Sequence, residues 1–194
     1  MNTALPTAEE LEKLPMRAVV AYAARTARRL SSELRGVIEV EILDDALRLV
    51  DAVSTADRIG EIDQVSVIAA AERVAEAYAT APAITKSLKQ FRIVFSLVQA
   101  ALAAMNAIAA AVAPQRARYD MKRAATSAER AVRPIDALDE LAARSATEAA
   151  RQDYETLVRV YGQHDDVIIG EPVSCFEASG PTITLHNAEE AAET

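Results

Sequence analysis

One cysteine, two histidines and no tryptophan in 194 residues leave little room for several kinds of chemistry. The lone Cys175 excludes an intramolecular disulfide framework, and with only His164 and His186 beside it there is no structural zinc set. Both histidines follow the last expected helix and neither has a glutamate three residues before it, so the Glu-x-x-His pairs of a di-iron bundle are missing. The five glycines are too dispersed to cradle a phosphate, and no G-x-G-x-x-G, G-x-x-x-x-G-K or G-x-S-x-G run occurs. Aromatic residues make up only 4%, which disfavours a strand-rich fold. The opening MNTALPTAEE has no basic segment leading into an apolar one, so the expected location is cytoplasmic. No repeat of 20–50 residues is visible.

What is present is alanine, at 42 positions, with its high helix propensity. The expected fold is all-α: an antiparallel bundle of five to six helices over residues 1–162 around a central Ala-rich helix, followed by an irregular acidic tail over 163–194. Residues 1–6 are expected to be disordered. The tail holds seven acidic residues and no Lys or Arg, whereas residues 1–162 carry 21 basic against 22 acidic groups. The net charge of −8 therefore belongs to the tail, and a nearly neutral body gives no general pull toward nucleic acid.

Thr7 and Glu10 form a capping box for a short first helix that ends near Lys13. Pro15 suits the first turn of a second helix, whose seam is Met16, Val20, Ala23, Ala27, Leu30 and Leu34. Arg17, Arg25, Arg28 and Arg29 fall on its other positions and form a candidate basic binding face, which the acidic tail could shield. Residues 15–36 net +4 and residues 37–63 net −6, so these two segments should pair as a hairpin joined at Gly36. Glu41, Asp44 and Asp45 are a candidate acidic cluster with the spacing of Mg²⁺-dependent helical nucleotide hydrolases, a pattern that solvated helix faces also produce. A helix over about 61–80 has Val67, Ala71, Val74 and Tyr78 as its stripe. His164-Asp165-Asp166 is the one imidazole–carboxylate cluster, without oxyanion donors nearby.

The longest uncharged run, Ile93 to Ala113, has the length of a membrane span. Nine of its 21 residues are alanine, and Ser96, Gln99 and Asn106 are polar, which lowers the gain from insertion. Ile84, Leu88, Phe91, Phe95, Val98, Leu102, Met105, Ala109 and Val112 alternate spacings of four and three, predicting a buried heptad seam. A second face carries Ile93, Leu97, Ala101, Ala104, Ile108 and Ala111. A bundle helix is favoured over a span. After Pro114, a helix to Arg133 and a last one to Tyr161 are expected, with Pro134 either kinking or breaking the chain between them and Leu138, Ala142, Ala149, Leu157 and Tyr161 inward. Glu129/Arg133, Glu140/Arg144 and Glu155/Arg159 are spaced as intrahelical ion pairs, and Gly162 is the expected cap.

The run Leu14-Pro15, Arg17 to Val20, Ala23 to Arg25 and Ala27 to Arg29, with Gly170-Glu171-Pro172, resembles a group of bacterial helical proteins without an assigned activity. That resemblance implies a helical, cytoplasmic protein and no chemistry. The residues thus point to a non-enzymatic module that binds another protein or itself, with no cofactor, metal or specific nucleic acid. Two other expectations stand beside it: a membrane-active effector releasing residues 93–113, and a Mg²⁺-dependent hydrolase using the acidic cluster.

Overall fold

The computed structural model describes residues 4–31, 40–55, 69, 72–73, 75–76, 79, 87–166, 168–171 and 173; for residues 40–46 and 137 it describes the backbone alone. Among these residues the protein is all-α, with about six helices and no strand. The helices are α1 (Ala8–Leu11), α2 (Met16–Ser31), α3 (Val40–Thr55), α4 (Leu88–Val112), α5 (Ala117–Val132) and α6 (Glu140–Tyr161). Residues 69, 72, 73, 75, 76 and 79 are helical too; the rest of the expected 61–80 helix, Ile84, Gly36, Cys175 and His186 lie outside the described residues.

Local chemistry fixes most helix ends. The Thr7 amide donates to Glu10 Oε2 at 2.8 Å while Thr7 Oγ1 accepts from the Glu10 amide at 3.3 Å, a complete capping box. Ser87 and Asp139 accept from Gln90 and Ala142 to cap α4 and α6. Pro114 opens a 3₁₀ turn, Pro114–Arg116, and Pro134 lies in a second one, Arg133–Ala137, which separates α5 from α6. Proline lacks the N–H and crowds the preceding turn, so a continuous helix could not pass either point. Gly162 ends α6 at φ +75°.

The most enclosed element is α2. Every residue from Met16 to Ala27 is buried, and α2 packs against α3, α4, α5 and α6. The sequence-derived seam on α2 is therefore one part of a helix covered all round. Its alanines permit this: without bulky side chains, neighbouring helix axes can approach to about 8 Å.

The first part of the C-terminal segment straps onto α2. A helix start leaves amides without intrahelical acceptors. Here Met16 donates to the Ile168 carbonyl at 2.8 Å and Arg17 to that of Ile169 at 3.0 Å. The His164 amide donates to the Lys13 carbonyl at 2.7 Å, and that of Val173, which is itself buried, to the Ser54 carbonyl at 2.8 Å. Residues 164–173 thus tie the ends of α2 and α3 together.

On α4 the inward face differs from the expected one. Ile93, Val94, Leu97, Ala100, Ala101, Ala103, Ala104, Ala107 and Ala110 are buried, and α5 is its most extensive neighbour. The heptad residues lie at the margin of that face instead: Leu88 is 65% and Val112 55% exposed, Phe91, Val98 and Met105 are half-buried against the core, and Phe95 and Leu102 are half-buried. Ala124, Ala125, Ala128 and Ala131 of α5 are all buried against the bundle, so alanine faces of α4 and α5 meet. Polar groups fit this arrangement. Ser96 donates to the Ala131 carbonyl at 2.5 Å and Asn106 to the Leu102 carbonyl at 2.7 Å. α4 is the one helix among the described residues long and apolar enough to cross a membrane, and more than half of its most apolar stretch is buried.

Candidate interaction surface

The four arginines of the candidate basic face do not form an open surface. Arg17 is 3% and Arg25 4% exposed, so both belong to the interior. Arg25 Nη1 lies 3.3 Å from Asp153 Oδ1, Arg29 pairs with the other oxygen of Asp153, and Arg28 pairs with Asp51. The Arg28–Asp51 contact realises the expected pairing of the basic and acidic segments. The contacts of Arg25 and Arg29 reach across to α6, more than a hundred residues away. The reason is geometric: α2 is covered on every side, so its cations must find partners within the bundle. The tail expected to shield these side chains lies, from residue 174 on, outside the described residues.

Asp153 is the residue that the sequence pattern missed. It is fully buried, four residues after Ala149 and four before Leu157, on the inward stripe of α6. A carboxylate interrupting an apolar stripe at that spacing was the available signal. Burial pushes its carboxyl above the ordinary range, while Arg29 and Arg25 pull it back.

Tyr22, also fully buried, lies in the same region. Burial and the nearby charge of Asp153 push its phenol well above the ordinary 10.0, and its Oη has no hydrogen-bond partner among the described residues. Removing an unsatisfied buried hydroxyl should help, so Tyr22→Phe is expected to raise stability by about 1 kcal/mol in urea titrations at neutral pH. The pH sign follows from linkage. The folded state holds the phenolic proton more tightly than the unfolded chain, so stability falls as pH rises above 10.0. Tyr22→Phe should flatten that alkaline decline, and an unchanged slope would refute the assignment.

Glu41, Asp44 and Asp45 are helical in α3, but their side chains lie outside those described. His164 is occupied locally, with Nε2 3.0 Å from the Tyr161 carbonyl at the end of α6. Among the described residues no three His, Cys, Asp or Glu side chains are placed to share a metal ion. Of the intrahelical pairs, Glu129/Arg133 and Glu140/Arg144 form at 3.7 and 2.5 Å. Glu155 instead reaches back to Arg151 at 2.9 Å, and Arg159 turns to Thr156.

The surface feature that stands out lies between α4 and α5. A cleft of about 280 Å³ has Gln99, Asn106 and Ser127 in its floor and Leu102 on its α4 rim. Tyr119, Lys122, Arg123 and Arg130 come from α5. Tyr119 is 56% exposed, with the Arg116 and Arg123 guanidinium carbons each 5.7 Å from its ring centre. Gln99 is 6% exposed and its Oε1 has no hydrogen-bond partner among the described residues.

The cleft is therefore walled on the α4 side by Leu102 between two amides, Gln99 and Asn106, and on the α5 side by Tyr119 and three cations. No family model, curated protein or solved structure matches the chain.

Proposed function

We propose that this protein is a non-enzymatic helical interaction module, an adaptor in a larger bacterial cytoplasmic assembly, whose contact face is the outer side of α4. The observation that carries this proposal is the position of a heptad-spaced apolar row at the margin of the bundle. Val98 and Met105 pack on the core with part of each side chain outside it, Leu102 is half-buried and Val112 is exposed, while Ile93, Val94, Leu97 and the alanines of α4 named above are fully inside the bundle. Spacings of four and three suit knobs-into-holes contact with another helix. An apolar row left at a surface is the usual mark of an interaction site.

A photo-reactive phenylalanine analogue placed at Leu102 should give a discrete cross-linked species in cells. The same group at Arg144, on the exposed face of α6, should give none. Identical patterns from both positions, or no adduct from Leu102, would defeat the proposal. Leu102→Asp should abolish the adduct formed from a reactive group at Met105, while leaving the helical circular dichroism intact.

A further inference from the structure

The α5 side of the cleft carries charge that the bundle does not use. Lys122, Arg123 and Arg130 are exposed along it. The acidic residues of this helix are already engaged: Asp120 is buried with Arg116 3.9 Å away, and Glu129 lies 3.7 Å from Arg133. Lys122, Arg123 and Arg130 have no ion-pair partner among the described residues. From residue 77 to residue 119 the sequence contains no Asp or Glu, so α4 contributes no compensating charge. Cations this close together repel one another and persist at little cost only while solvated, so a carboxylate-bearing surface gains by meeting them.

Leu102, the middle of the apolar row, shares the cleft with the three cations. Ser96 bonding to the Ala131 carbonyl sets α4 and α5 antiparallel in register, with Val98 level with the Arg130 end and Met105 with the Lys122 end. From Val98 to Val112 the row spans about 20 Å at the helical rise, the length of a short docked helix. In the same cleft, Gln99 presents a buried carbonyl oxygen that lacks a donor among the described residues.

We propose that the occupant of this groove is an acidic amphipathic helix of a partner protein, with its apolar side on Val98, Leu102, Met105 and Val112 and its carboxylates on Lys122, Arg123 and Arg130. This rests on the outer side of α4 being a contact face, and adds the charge and shape of what binds there. A helix laid in a groove presents apolar anchors at spacings of three and four, and flanking acidic side chains of that helix fall at the height of the α5 cations. The pairs at the rim set partner choice and orientation more than strength.

The test uses the full-length protein and three synthetic four-heptad helical peptides. They share one apolar seam and differ only in having Glu, Gln or Lys at every flanking position. Fluorescence anisotropy should rank them Glu tightest and Lys weakest, with about a tenfold spread at low salt that shrinks as salt is added. Lys122→Glu with Arg123→Glu and Arg130→Glu should reverse the order, and the corresponding glutamine triple variant should erase it. Leu102→Asp should weaken all three peptides.

Equal affinities, together with a loss on Leu102→Asp, would overturn the acidic partner while the α4 contact face stands. No binding by any peptide and no effect of Leu102→Asp would remove both. A single-stranded oligonucleotide that binds more tightly than the Glu peptide and ignores Leu102→Asp would make this a phosphate-binding surface and overturn the proposal. A dimer seen by light scattering and abolished by Leu102→Asp would make the occupant a second copy of the chain, with the same consequence.

Discussion

Asp153→Ala is expected to cost about 3–5 kcal/mol of stability, because it leaves two guanidinium groups inside the bundle without their shared carboxylate. Arg25 and Arg29 converge on the two oxygens of Asp153, whose side chain is fully buried, so no water can take its place without opening the helices. The midpoint of urea unfolding should fall sharply with an unchanged slope. Asp153→Asn should cost less, since the amide oxygen can still accept from one arginine. Replacing Arg25, Arg29 and Asp153 together by apolar residues of similar volume should bring stability back near the starting value, since buried ion pairs seldom outperform good packing. If the single variant and the triple variant lose the same amount, the cost comes from packing and not from charge.

The pH dependence gives an independent reading of the same cluster. Burial holds the Asp153 carboxyl above its ordinary 3.8, so the folded state binds its proton more tightly than the unfolded chain does. The contribution of this group is therefore largest below 3.8 and declines as pH rises from there through the raised value. Asp153→Asn should remove that local decline from a stability–pH curve. An identical curve would show that Asp153 does not titrate differently in the two states.

Gly170→Ala is expected to lose about 2–3 kcal/mol, from left-handed backbone strain and from displacement of the strap. Gly170 sits at φ +85°, and a Cβ there would lie 2.5 Å from Pro15 Cβ. Two relaxed atoms cannot share that distance, and Pro15 cannot yield because its ring stands at the start of the buried α2. Residues 168–171 would have to lift instead. That breaks the bonds from the Met16 and Arg17 amides to the Ile168 and Ile169 carbonyls, and pulls on Val173 where it joins Ser54. Hydrogen exchange should accelerate at Met16 and Arg17 before the centre of α2 is affected. Unchanged protection at those two amides would show that the strap does not hold the helix start.

These outcomes depend on contacts of different legibility. The capping box at Thr7, the stops at Pro114 and Pro134 and the glycine end at Gly162 were readable because each depends on a few adjacent residues and on fixed backbone rules. The Arg28–Asp51 pair was half visible as a charge contrast between neighbouring segments. The cluster on Asp153 was not, because its members are joined only when α2 and α6 meet, although the break in the α6 stripe marked the position. The cationic side of the cleft was missed for a related reason. Lys122, Arg123 and Arg130 are ordinary surface residues until α4 brings Gln99, Leu102 and Asn106, and no acid, beside them.

By itself the sequence determined that this chain is helical and where several helices start and stop, since propensity, proline and capping act over a few residues. It could not decide which side of the uncharged helix turns inward. Residues Leu88 to Val112 are apolar on more than one face, and a spacing of three and four marks a contact without saying which neighbour makes it. The tertiary structure decided in favour of the alanine side. The close-packed faces of α4 and α5 and the bond from Ser96 to Ala131 are available only in that orientation. Leu88 and Val112 were left exposed at the two ends of α4 and Leu102 half-buried between them.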